Sequence, residues 1–125
     1  MRVKYEVMVN EFERVLKKYG FNEKNAKDAA QIFAQNSLAG VYSHGLNRFP
    51  RVIEYLQKGE IDPQVTADCV LSMGAFERWD GHRGFGPLNA KQAMDRAVEL
   101  AKQYGIGIVA LGNNLSLIHI SEPTR

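Results

Sequence analysis

At Asp62-Pro63 the hydrophobic period of the chain changes from helical to alternating, and that change limits the folds open to it. Before it, Met8, Phe12, Val15, Leu16 and Tyr19 recur at helical spacing among charged residues. They predict an amphipathic helix from about Tyr5 to Tyr19, closed by Gly20. Asn22 is a good N-cap for a second helix running to about Ala39 and ended by Gly40, with a small apolar face of Ala26, Ala29, Ala30 and Phe33. Phe49, Val52, Ile53 and Leu56 predict a third helix that stops at Gly59. Pro50 fits best in the first turn of that helix; a start as early as Ser43 would lose a backbone bond at Pro50 and bend the helix. Beyond the change, Val65 to Met73 is nearly alternating, and Phe76 to Trp79 predicts a second short strand before the turn at Asp80-Gly81. A helix from about Pro87 to Tyr104 follows, with Leu88, Ala93, Ala97, Leu100 and Ala101 on its buried side, then a strand from Ile106 to Leu111. The fold class is therefore α/β: an N-terminal helical layer over residues 1–61, then the start of a mixed α/β portion over residues 62–114.

Residues 115–125, LSLIHISEPTR, have the apolar pattern of a strand, yet all eleven match the translation of a transposase sequencing adapter in one frame. They are expected to be an artefact set apart from the fold, His119 with them, and the protein's own sequence is expected to be truncated near Asn114. A chain of 125 residues is one small domain or a piece of a larger protein. Its net charge of +2, without a dense Lys/Arg run, argues against a nucleic-acid partner. No leader opens it and no apolar run approaches the ~20 residues that cross a membrane. Cys69 stands alone, so no internal disulfide forms and a reducing, cytoplasmic setting is expected. With no His close by in sequence, Cys69 reads as a buried, inert thiol.

The chemistry concentrates in YSHGLNRFP, residues 42–50. His44 and Arg48 are four apart, so on one helix they would share a face and could converge on a small ligand. Arginine's planar fork matches a carboxylate, and histidine gives or takes a proton near neutral pH. Together they suit an acid with a carbonyl beside its carboxylate. The same residues are also compatible with Ser43 capping a helix, His44 decorating its first turn and Arg48 solvated. Gly81, Gly84 and Gly86 are spaced G-x-x-G-x-G, which is not the dinucleotide fingerprint, and are expected to serve a turn that needs flexible backbone, with His82 exposed. Trp79 is expected at the core or its rim and Asp80 as a turn former. No His, Cys or acidic pair has metal-ligand spacing, so no metal is expected. From residues alone, a small non-enzymatic helical binding module remains open.

The segment AGVYSHGLNRFPRVIEYLQKGEI closely resembles the signature segment of the malate/L-lactate dehydrogenase family, whose fold is unrelated to the Rossmann dehydrogenases. The likeness continues through Trp79-Asp80, AKQAMDRAVELA and GIGIVAL, and covers essentially residues 1–114. The resemblance implies the acid/base role for His44, a place in the substrate pocket for Arg48, and Ser43 beside them. It implies hydride transfer from NADH, with NADPH left open, to the carbonyl of a small 2-oxo acid. It also implies a homodimeric parent whose cofactor-binding residues lie beyond the truncation, so the chain alone is expected to be inactive.

Overall fold

The structure, a computed structural model, describes residues 2–114. The adapter-like segment and His119 lie outside the described residues. The chain divides into two compact units, Met1–Gln64 and Val65–Arg125.

The first unit is helical. Helix α1 spans Tyr5–Lys18, α2 spans Glu23–Leu38 and α3 spans Phe49–Gln57, with a three-residue 3₁₀ turn, Tyr42–His44, between α2 and α3. Asn22 caps α2 as its residue type predicts, its side chain accepting from the Asn25 amide at 2.8 Å. Gly20, Gly40 and Gly59 each take positive φ where a helix has just stopped. Ala26, Ala29 and Ala30 of α2 are fully buried and let the packed backbones approach closely. The core is completed by three phenylalanines, one from each helix. The Phe12 and Phe49 rings stack at 4.4 Å, and Phe33 meets Phe49 edge-on at 5.2 Å. Phe49 thereby ties the start of α3, and Arg48 just before it, to the other two helices.

The second unit is a three-stranded sheet with one helix. Strand β1 (Asp68–Met73) pairs antiparallel with β2 (Phe76–Asp80), and β2 pairs in parallel with β3 (Ile108–Gly112). Helix α4 (Gly86–Tyr104) makes the crossover, ending at Gly105 with φ 86°. Leu88, Ala93 and Leu100 of α4 are buried as expected, whereas Ala97 and Ala101 are only half-buried. Glu77 is the buried carboxylate of this unit, 3 % exposed. It accepts from Arg96 Nε and from the Trp79 indole, each at 3.0 Å, and from the Arg96 terminal nitrogen at 2.8 Å, joining β2 to α4. Trp79 is thus a half-buried rim anchor.

Two expectations are corrected. The first strand begins at Asp68 rather than Val65, because the Ala67 amide donates to the side chain of buried Asn89 (3.2 Å) instead of to a strand. Cys69 is exposed, not buried, since every residue of β1 is exposed among the described residues.

Candidate functional site

The site is built on the end of α2 and the turns that follow it. After Gly40 the chain closes successive tight turns: His44 N–H donates to Val41 O (3.1 Å), Gly45 N–H to Tyr42 O (3.2 Å) and Arg48 N–H to Gly45 O (3.1 Å). These turns rule out the start of α3 at Ser43, which would have set His44 and Arg48 on one helical face, and bear out the later start with Pro50 in its first turn. His44 sits in the 3₁₀ turn, Arg48 is the N-cap of α3, and Pro50 falls in the first turn of α3, where its missing N–H costs nothing. Ser43 links the two. Its hydroxyl lies 2.9 Å from His44 Nδ1, and its carbonyl accepts from Arg48 Nε at 3.3 Å. His44 and Arg48 are half-buried and Ser43 is exposed. The sequence names no acidic partner for His44, and the group the structure sets against Nδ1 is a hydroxyl. Arg48 makes no ion pair among the described residues, and its bond to Ser43 engages Nε and not the outer nitrogens of its fork.

Two residues outside the signature stretch hold this arrangement. Asn36 Nδ2 donates to the His44 carbonyl at 3.1 Å, and Ser37 Oγ accepts from the Leu46 amide at 2.9 Å. The signal available in the sequence was slight: two polar residues at the end of a helix, shortly before a glycine. A cavity of about 440 Å³ opens beside the turns, lined by Val3, Met8, Leu38, Tyr42, Leu46 and Asn47 among others. Neither His44 nor Arg48 lines it.

The loop GHRGFG is a second concentration of polar groups, in the other unit. His82 and Arg83, not the glycines, carry the left-handed backbone, with φ 52° and 59°. Gly81 and Gly84 are there for space: a Cβ on Gly84 would come within 3.0 Å of Asn89 Nδ2 and of Gly81 O. The first four loop amides are already committed, Gly81 N–H to Gly112 O, His82 N–H to Asp80 Oδ1, Arg83 N–H to Asn113 O and Gly84 N–H to Gly81 O, each at 2.8 or 2.9 Å. An anion cradle needs free N–H groups, and here the nearby side chains include the carboxylates Asp68 and Asp80. The loop therefore does not fit the diphosphate of a dinucleotide. His82 is exposed, and its Nε2 lies 2.6 Å from Asp68 Oδ1. That hydrogen bond, helped by the charge of Asp80, raises the imidazole above its ordinary pKa. Asp80 forms the expected turn; the His82 amide and the Asn113 side chain hold its carboxyl below the usual range. Among the described residues, no group of three or more His, Cys, Asp or Glu could hold a metal ion, and no helix is long and apolar enough to cross a membrane.

Comparison with known proteins places these residues in context. Residues 3–121 match the family model described as malate/L-lactate dehydrogenase. The 2,3-diketo-L-gulonate reductase of Mannheimia succiniciproducens is 51 % identical over 113 residues, covering 90 % of this chain and 34 % of that protein. The Haemophilus influenzae reductase of the same name is 49 % identical over the same shares. Among solved structures, sulfolactate dehydrogenase from Methanocaldococcus jannaschii superposes with a TM-score of 0.88 at 38 % identity, over 91 % of this chain and 33 % of that one. Malate dehydrogenase from Pyrococcus horikoshii superposes with a TM-score of 0.89 at 29 % identity, over 93 % and 33 %. The chain thus spans about a third of the length of the relatives it matches.

Proposed function

This chain belongs to the malate/L-lactate dehydrogenase family, and on that premise we propose that it supplies the acid/base and carboxylate-holding groups of an enzyme reducing a small 2-oxo acid. Identity near 50 % to proteins named 2,3-diketo-L-gulonate reductase favours 2,3-diketo-L-gulonate as substrate over malate, lactate, ureidoglycolate or sulfolactate. The same identity disfavours the non-enzymatic helical module.

The observation that carries the reading is the bridge through Ser43. Its hydroxyl fixes the His44 ring by Nδ1, and in this reading Nε2 is the nitrogen that serves the substrate. Its carbonyl holds Arg48 by Nε, which leaves the outer guanidinium edge for the substrate carboxylate. In that pose Arg48 orients the acid, protonated His44 hydrogen-bonds the adjacent carbonyl oxygen, and the proton passes to that oxygen as hydride reaches the carbon. The products are the alcohol, the oxidised hydride donor and neutral His44, with Nδ1–H donating to Ser43 Oγ; the reverse reaction uses the same groups with roles exchanged. The hydride source of this reading is a reduced nicotinamide, NADH or NADPH, held by groups outside the described residues. We assign the parent enzyme to the cytoplasm and to a homodimer.

The test requires a complete enzyme, made by joining residues 2–114 to the remaining two-thirds of the Mannheimia relative. His44→Ala should lower kcat about 100-fold or more, the usual contribution of positioned proton transfer. A loss under about tenfold would end the acid/base role. Substrate choice is tested on the frame read onward from Asn114 in the source DNA, where a preference for malate over diketogulonate would overturn the choice.

A further inference from the structure

We infer that Asn36 and Ser37, at the end of α2, are positioning residues that set where His44 stands. This rests on the acid/base reading of His44. The 3₁₀ turn bearing His44 has only three residues and is closed by single hydrogen bonds to its immediate neighbours, which alone would leave the backbone at His44 poorly fixed. What fixes it is one turn of α2 acting as a two-point clamp. Asn36 Nδ2 holds the His44 carbonyl on one side of Gly45, and Ser37 Oγ holds the Leu46 amide on the other.

Gly45 is the third part of the clamp. It is buried, and a Cβ built on it would overlap Ser37 Oγ and come within 2.8 Å of the Ser37 backbone nitrogen. Its φ of −106° lies outside the left-handed region, and the lack of space is by itself enough to demand glycine there. The backbone next to His44 therefore rests directly on α2. That helix is itself a rigid support, capped by Asn22 and buried along Ala26, Ala29, Ala30 and Phe33. Since a displacement near 1 Å can cost about 100-fold in rate, two hydrogen bonds remote from the substrate suffice to govern proton delivery.

The experiment uses the complete hybrid enzyme with Asn36→Leu, which removes the donor, and Ser37→Ala, which removes the acceptor. Each should lower kcat about 10- to 100-fold with KM for the keto acid within about twofold, because Arg48 is also anchored through Phe49 to the helical core. The solvent deuterium isotope effect on kcat should rise, since proton delivery becomes the slower step, and Ser37→Thr, which keeps the hydroxyl, should restore the rate. If the apolar variant does not fold, Asn36→Asp loses the same donor with almost no change in volume and carries the test. Unchanged kcat and isotope effect in the Asn36 and Ser37 variants, alongside a crippled His44→Ala, would sink the positioning role and leave the acid/base reading standing. An active His44→Ala would sink that reading first.

Discussion

Removing Arg96 should harm the second unit more than removing the carboxylate it binds. Glu77 has a side chain only 5 % exposed, whereas that of Arg96 is 37 % exposed. Glu77→Gln leaves a guanidinium that can turn to water and an amide that can still accept from Trp79. The loss is that of charge-assisted hydrogen bonds, about 1.5–3 kcal/mol. Arg96→Met leaves a carboxylate sealed without its cation, and breaking a buried pair from that side is the costlier direction, by roughly twofold. Both deficits also respond to pH. In the native chain the Arg96 and Trp79 hydrogen bonds hold Glu77 below its ordinary 4.5. The stability this adds is full above 4.5 and lost as pH falls through the lowered folded value, so the Glu77→Gln deficit closes below 4.5. In Arg96→Met burial still raises the carboxyl while the Trp79 hydrogen bond still lowers it, so the deficit at neutral pH is likewise relieved only as pH falls below 4.5. Urea unfolding followed by the fluorescence of Trp79, the single tryptophan and a partner of Glu77, reads both deficits between pH 3.5 and 7.5. An Arg96→Met variant no weaker than Glu77→Gln at pH 7, or one whose deficit persists unchanged down to pH 3.5, would refute the reasoning.

Other expectations are quicker to check. Asn22→Ala removes the α2 cap and should cost about 1 kcal/mol in chemical denaturation. Phe33→Ala opens a cavity beneath Phe12 and Phe49 and should cost about 3–5 kcal/mol, read by helical circular dichroism. Asp68→Asn should bring the His82 titration down towards 6.5 in a proton NMR series, because the hydrogen bond that raises it is weakened. In the native chain, stabilisation through the raised His82 is complete below 6.5 and fades as pH climbs through the folded value; an unmoved titration in Asp68→Asn would assign the shift elsewhere.

The helices were legible because their signals are local. Asn22 caps α2 three residues from its partner, and Gly20, Gly40 and Gly59 mark the three stops. Where the expectations failed, the deciding contact was remote or environmental. Asn89 takes the Ala67 amide from 22 residues away and so shortens β1. The exposure of Cys69 follows from what lies against β1, which alternation within the strand does not state. The residues His44, Arg48 and Ser43 were named from the sequence, but not their geometry. The turns that carry them are held by Asn36 and Ser37, eight and nine residues from the atoms they bind. In the glycine-rich loop, composition suggested flexible backbone, while the glycines serve close approach and His82 and Arg83 bear the unusual φ.

The parallel pairing of β2 with β3 has a consequence for biosynthesis. The hairpin of β1 and β2 closes across Gly74-Ala75 and can zip as soon as it leaves the ribosome, but the other side of β2 must wait for residues 81–107 before its partner exists. At about 5–20 residues per second the wait is roughly one to five seconds. For that interval the nascent polypeptide displays a bare rim of β2, and the charges of Glu77, Arg78 and Asp80 are what deter a stray strand from annealing there first.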